Sequence, residues 1–305
     1  MSESAKEAQG WMHAAEVGAV WGIRFVVFLC TVFGRRAGRA FLHVLAFYYV
    51  LFSGRARRAS RQYLERLHPG EVRFAMVYRH ILTFAKVTLD RLFFARGRTA
   101  LFEVTSHGEE HMRALSEQKK GALFILAHLG SFDAARTLSE GRSMPINVLG
   151  YFRNARMINS ALEQLNPDIN VRLIDLTPEN IDFIFKVKAR IKDGEIVPTM
   201  GDRGGADGKT ALSTFLGEKA HFPTGPSQLA AIMGCPVYLA FGLYREPNRY
   251  EMHCELFAEK VVVPRAAREQ ALAELVQRYA GRLEEYCRLA EYNWFNFYDF
   301  WAGTK

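Results

Sequence analysis

The stretch Gly121–Ala135, GALFILAHLGSFDAA, decides how the rest of the chain is read. Its apolar run from Ala122 to Ala127 is too short for a free-standing helix and too oily for a surface loop, which predicts a strand buried inside a covered sheet. Gly130 and Ser131 end that pattern. Ser131 suits the N-cap of a helix over 132–139 that carries Phe132, Ala134, Ala135 and Leu138. On this reading His128 stands just past the carboxyl end of a strand and Asp133 in the first turn of the next helix, where open sheets carry their chemistry.

Outward from this stretch the pattern alternates. Strands are predicted near 146–150, 171–174, 195–200 and 236–243, and helices at 155–165, 179–192 and 226–233. Helical segments of that length between strands imply an α/β fold with a mostly parallel mixed sheet covered by helices on both faces. Pro236–Tyr244 and Tyr250–Phe257, joined by a short Pro-Asn turn, read as an antiparallel hairpin at the edge of the sheet. Towards the amino terminus, Val72–Phe94 has apolar residues at helical spacing, followed by a short strand at Phe102–Thr105 and a helix at Glu109–Glu117. Ala266–Ala290 is a charged amphipathic helix.

Residues 1–16 are polar and slightly acidic, unlike the basic start of a secretory signal. Val17–Phe33 then carries a single charge, Arg24, and would span roughly 25 Å as a helix, short of a hydrocarbon core of about 30 Å. Arg35, Arg36 and Arg39 follow, then a second apolar run at Ala40–Phe52, then Arg55, Arg57, Arg58 and Arg61. Two oily helices closed by arginines predict a membrane-associating hairpin over 1–60, its basic ends against the anionic cytoplasmic leaflet of the inner membrane. The alternative is a pair of buried helices opening a soluble domain. The remainder, 61–305, reads as one catalytic domain.

With 49% hydrophobic residues in 305, the chain can bury a large core, so disorder is excluded. A net charge of +8 favours acidic partners: anionic lipid, phosphate, acidic protein or nucleic acid. Nucleic acid ranks last, because the basic residues sit beside oily runs instead of alternating with exposed aromatics. The four cysteines form no CxxC pair, which points to neither a disulfide framework nor a thiolate zinc site.

Among the motifs, His107–His111 (HGEEH) formally matches the H-x-x-E-H pattern of zinc peptidases, but Gly108 and a strand-to-helix junction argue against a two-histidine helical face. No metal or other cofactor is called for. Gly201–Thr210 (GDRGGADGKT) lacks the glycine spacing of a phosphate loop and reads as a glycine-rich loop after a strand, carrying Asp202 and Arg203 at the sheet's carboxyl edge; an ordinary surface turn is equally compatible. There is no G-x-S-x-G elbow. His128 and Asp133 remain: a carboxylate bonded to one imidazole nitrogen fixes the tautomer and leaves the other nitrogen free to take a proton from an alcohol or amine.

These residues resemble the lysophospholipid acyltransferase superfamily, in the branch similar to the late acyltransferases of lipid A synthesis. The resemblance rests on H-x-x-x-x-D at His128–Asp133, Arg153 in GYFRNARMIN, Met200–Arg203, Phe215-Leu-Gly217, and Phe222-Pro-Thr224-Gly225-Pro226, in that order. It implies a membrane-associated acyltransferase that moves a fatty acyl group from a thioester, on acyl carrier protein or coenzyme A, to a hydroxyl or amine of a lipid acceptor. His128 would be the general base and Asp133 its orienting partner. Arg153 would support the acceptor or the oxyanion, and Asp202, Arg203, Thr224 and Gly225 would line the same pocket. An apolar groove for the acyl chain is expected from the sheet edge and the first helices. A non-catalytic lipid-binding protein or a thioesterase on the same fold stays open as an alternative. The segment Tyr292–Trp301 departs from the basic tail of the lipid A enzymes, and could belt a membrane interface, cap the acyl groove or pack over the core.

Overall fold

A computed structural model describes residues 16–134, 144–150, 171–176, 181–203 and 208–302, of which 16–33 and 171–172 as backbone only. Among them is a seven-stranded sheet built from β1 (Glu103–His107), β2 (Ala122–Leu126), β3 (Ile146–Gly150), β4 (Val171–Asp175), β5 (Ile196–Met200), β8 (Val237–Arg245) and β9 (Arg249–Ala258). Its order is β1-β9-β8-β2-β5-β3-β4. The five strands from β8 to β4 are parallel, β9 is antiparallel to β8, and β1 runs parallel to β9. The α/β class and the mostly parallel mixed sheet are therefore as the alternation of segments predicts.

All five residues of β2 are buried, which explains their unbroken apolarity. Leu123 and Ile125 face the larger core together with Val197 and Leu239, whereas Ala122, Phe124 and Leu126 face a smaller one with Ile196 and Tyr238. The smaller core lies under helix α4 (Glu109–Glu117), the fourth in the chain after α1 (Glu16–Phe52), α2 (Gly54–Leu67) and α3 (Phe74–Ala95). Further helices are α5 (Asp182–Lys192), α6 (Gly225–Met233) and α7 (Arg268–Leu289).

The sheet differs from expectation in one respect. The β8–β9 hairpin is interior, with β2 on one side and β1 on the other. The short strand β1 takes the edge, and its residues are alternately exposed, as an edge strand with one solvated face should be. A second, two-stranded sheet, β6 (Thr210–Phe215) and β7 (Glu218–Pro223), was not anticipated. Leu216 and Gly217 join it with φ of 52° and 83°, both positive, as a two-residue type I′ loop requires. Gln277 and Glu284 of α7 accept the backbone N–H groups of Thr214 and Leu216, so one edge of this hairpin is covered.

At the amino terminus, α1 is broken at Gly34 (φ 77°, ψ 176°), between the two oily runs. Among the described residues no single helix is long and apolar enough to cross a membrane. Gly34–Phe52 and Gly54–Leu67, bent by 93°, reach that length and apolarity only together. Arg35 and Arg39, expected to face lipid headgroups, turn inward instead. Arg35 grips the fully buried Asp90 with two bonds of 2.7 and 2.8 Å, and Arg39 meets Glu246 at 2.6 Å and the Tyr244 hydroxyl at 2.8 Å. A carboxylate with no water around it needs such partners, and these fasten α1 to α3 and the β8–β9 turn. Arg55, Arg57, Arg58 and Arg61 remain exposed on α2.

Candidate active site

Strands β2 and β5 are parallel neighbours with Leu126 opposite Met200. The ladder continues one step further, where Gly201 N–H donates to Leu126 O at 2.8 Å. His128 and Asp202 therefore leave the sheet side by side, two residues past that pair. Glycine is needed at 201 because a Cβ there would stand 2.6 Å from Ile125 Cγ2 and from the ring of Tyr279, whose hydroxyl donates to Leu126 O.

The carboxylate on His128 is that of Asp202, which corrects the pairing with Asp133. His128 Nδ1 lies 2.8 Å from Asp202 Oδ1, and the backbone N–H of His128 donates to Oδ2 at 2.9 Å. An ionised carboxylate can only accept, so Nδ1 carries the proton and Nε2 the lone pair. Nε2 has no hydrogen-bond partner among the described residues, and 28% of the side chain is accessible while Asp202 is fully enclosed. Burial pulls the His128 pKa below 6.5, reinforced by the nearby Arg203 charge and opposed by Asp202. Burial alone would raise the Asp202 pKa, but His128 and Arg203 outweigh it and hold it below the usual carboxylate range. At neutral pH the pair is a neutral imidazole beside a carboxylate, poised as a base.

Asp133 takes a different place. After Gly130, at φ 59°, the chain bends away, and Phe132–Ala134 form one 3₁₀ turn in which Ser131 Oγ accepts the Asp133 N–H at 3.2 Å. The Asp133 carboxylate meets Arg91 of α3 at 2.7 Å and accepts from the Ser131 hydroxyl at 3.3 Å. The predicted helix over 132–139 thus starts as a 3₁₀ turn, and 135–139 lie outside the described residues, as do Arg153 and the predicted helix at 155–165. The guanidinium of Arg203, next in the chain to Asp202, donates to Phe295 O at 2.7 Å. Thr224, at the start of α6, is bonded to Lys209 O and Gln228, and Gly225 follows it; the bonds of Thr224 join it to the β6 side and not to His128.

The aromatic segment Tyr292–Trp301 packs over the core and the site. Trp294 bridges Leu129, Phe295 N–H donates to His128 O at 2.7 Å, and Asn293 O accepts the Gly130 N–H at 2.8 Å. The indole N–H of Trp294 donates to Asp202 Oδ2 at 2.9 Å. No spacing rule could place Trp294 there. The only signal was an unusual density of aromatics, which fits several roles.

In HGEEH, His107 ends β1 and stacks on His253 across the strand, with ring centres 4.6 Å apart, whereas His111 sits on α4 against Tyr238. Gly108 between them is left-handed (φ 81°), so the two imidazoles do not share a helix face. Under α4 lies an apolar cleft lined among others by Met112, Phe124, Phe132, Ile196, Ala240 and Met252. It runs along the sheet face that carries Phe124 and Leu126, with Phe132 of the His128 loop in its wall. This cleft reaches Ser106 of the edge strand β1 and lies on the α4 face.

No curated protein matches the chain. A family model described as bacterial lipid A biosynthesis acyltransferase matches residues 7–297, a span that takes in the N-terminal helices, the whole sheet, both members of the His128–Asp202 pair and Trp294. On a match of that extent, the chain belongs to the bacterial lipid A biosynthesis acyltransferase family.

Proposed function

We propose that the protein transfers a fatty acyl group from an acyl-thioester, on acyl carrier protein or coenzyme A, to a hydroxyl or amine of a lipid acceptor. His128 Nε2 takes the acceptor proton as the oxygen or nitrogen attacks the thioester carbonyl. The resulting imidazolium, stabilised by Asp202, then protonates the departing thiolate. Arg153, as the family resemblance implies, and Arg203 are the cations assigned to the acceptor phosphate or the developing oxyanion. The carrying observation is the His128–Asp202 pair, whose geometry leaves the lone pair on Nε2 of a partly accessible imidazole at the carboxyl edge of the sheet. The apolar cleft with Phe132 in its wall is suited to a fatty chain.

The acceptor and the site meet at the cytoplasmic face of the inner membrane. Val44, Phe47, Tyr48, Leu51 and Phe52 of α1 are exposed next to Arg55, Arg57, Arg58 and Arg61. An apolar face bordered by cations is the composition that seats a helix in an anionic interface. The decisive experiment incubates membranes containing the purified enzyme with acyl carrier protein, and separately coenzyme A, each carrying a radiolabelled fatty acyl group, following label in the lipid fraction. His128→Ala is expected to abolish lipid labelling and keep the wild-type unfolding midpoint. Wild-type labelling by His128→Ala would refute the mechanism, and release of free fatty acid without lipid labelling would make the protein a thioesterase.

A further inference from the structure

We propose that Trp294 is a positioning residue for the base, its indole N–H fixing the Asp202 carboxylate that sets the tautomer of His128. The proposal rests on the reading of His128 as base. Asp202 Oδ2 accepts two N–H groups, from Trp294 Nε1 and from the His128 backbone, both at 2.9 Å, and this leaves Oδ1 aligned on Nδ1 at 2.8 Å. A carboxylate with one fixed oxygen cannot rotate about its bond. Without the indole, one backbone donor would remain to hold it.

Trp294 is itself held twice. Its ring is fully buried between Tyr63, Phe215 and Phe300, with centroids 5.1, 5.2 and 4.9 Å away. Its carbonyl accepts from His80 Nε2 at 2.9 Å, and because a carbonyl only accepts, His80 carries its proton on Nε2 and takes a bond from the Ser60 hydroxyl on Nδ1 at 2.9 Å. Burial lowers the His80 pKa to about 4, in keeping with that neutral tautomer. A line of contacts thus runs from Ser60 on α2, beside the exposed arginines, through His80 of α3 and Trp294 to Asp202 and His128.

The groups facing the pair from the surrounding elements are Arg203 after β5, Arg91 on α3, Tyr298 in the aromatic segment, and Tyr279 and Cys287 on α7. Removing the indole N–H leaves these in place. It concentrates negative charge on Asp202, strengthens its pull on Nδ1–H and favours the imidazolium.

The test is an NMR titration of histidine-labelled full-length protein in detergent micelles, with the His128 signal assigned by its loss in His128→Gln. Trp294 is replaced by phenylalanine, and separately by 3-benzothienylalanine, which keeps the indole shape and puts sulfur in place of N–H. The His128 pKa is expected to rise by about half a unit to one unit in both, with kcat for acyl transfer reduced and KM for the donor unchanged. Trp294 acting only through packing would lower the unfolding midpoint of the phenylalanine variant and leave the benzothienyl variant titrating like wild type; that result overturns the proposal, whether or not the phenylalanine variant folds. The titration uses no substrate. Failure of the wild-type protein to label lipid would therefore count against the acyltransferase mechanism and not against this role.

Discussion

Asp202 accepts three N–H groups, two on Oδ2 and one on Oδ1, and this asymmetry makes its replacement by asparagine informative. The amide oxygen of Asp202→Asn would sit where Oδ2 receives its two donors, turning the NH₂ towards Nδ1. Nδ1 would then have to accept, the imidazole proton would move to Nε2, and the base would be lost in an intact fold. A fall in kcat of roughly 10²–10⁴-fold, the usual reach of general base catalysis, is expected with little change in the unfolding midpoint. In the wild type, activity should hold as pH falls from 8 towards 6.5 and be lost below that, because the His128 pKa is depressed and only its neutral form is a base. A pH–rate profile checks this. His128 itself could be read from its place after an apolar run. Its partner could not, because sequence spacing favours a residue five positions away over one 74 positions away, and only the β2–β5 register brings the second into contact.

At the scale of elements, the site depends on two glycines that let the His128 loop lie on β8. Gly130 bridges Gly242, and a Cβ at 130 would fall 1.7 Å from Gly242 O, at a φ of 59° that β-carbons resist. Gly130→Ala is expected to cost at least about 2 kcal/mol of stability and to loosen His128, so that denaturant melts and activity fall together; a variant with wild-type values for both would contradict the contact. The strands that frame the site were legible as apolar runs between helical segments. The place of the β8–β9 hairpin was not: the short strand at 102–105 is visible, but its pairing with β9, Glu103 opposite Arg249, joins distant parts of the chain that no local pattern links. The β6–β7 hairpin escaped notice because its turn is Leu216-Gly217, with a hydrophobic residue where Asn or Asp usually signals a type I′ loop.

Over the whole molecule, charge pairs fasten α1 to α3 and to the β8–β9 turn. Asp90 accepts from Arg35 and from the Tyr250 hydroxyl, while Glu246 binds Arg39 and, through the other oxygen, Lys86. Sequence alone assigns Arg35 and Arg39 to the membrane because it shows their charge and not the carboxylates waiting across the fold; Arg36, between them, is exposed. Under the proposed membrane contact, the groups left for lipid are the exposed apolar face of α1, Arg36, and Arg55, Arg57, Arg58 and Arg61 of α2. Replacing Phe47, Tyr48 and Phe52 with serine should reduce sedimentation with anionic phosphatidylglycerol vesicles by at least about tenfold and leave the unfolding midpoint near wild type, since all three side chains are at least half exposed. Unchanged vesicle binding would place the membrane contact elsewhere. The segment that covers His128 has a further consequence, one of time. Trp294 is 92 residues after Asp202, and a chain is made from the amino end at about 5–20 residues per second. Several seconds of synthesis therefore separate Asp202 from Trp294, so under the proposed function a nascent chain would gain the donor that fixes this carboxylate only as its synthesis ends.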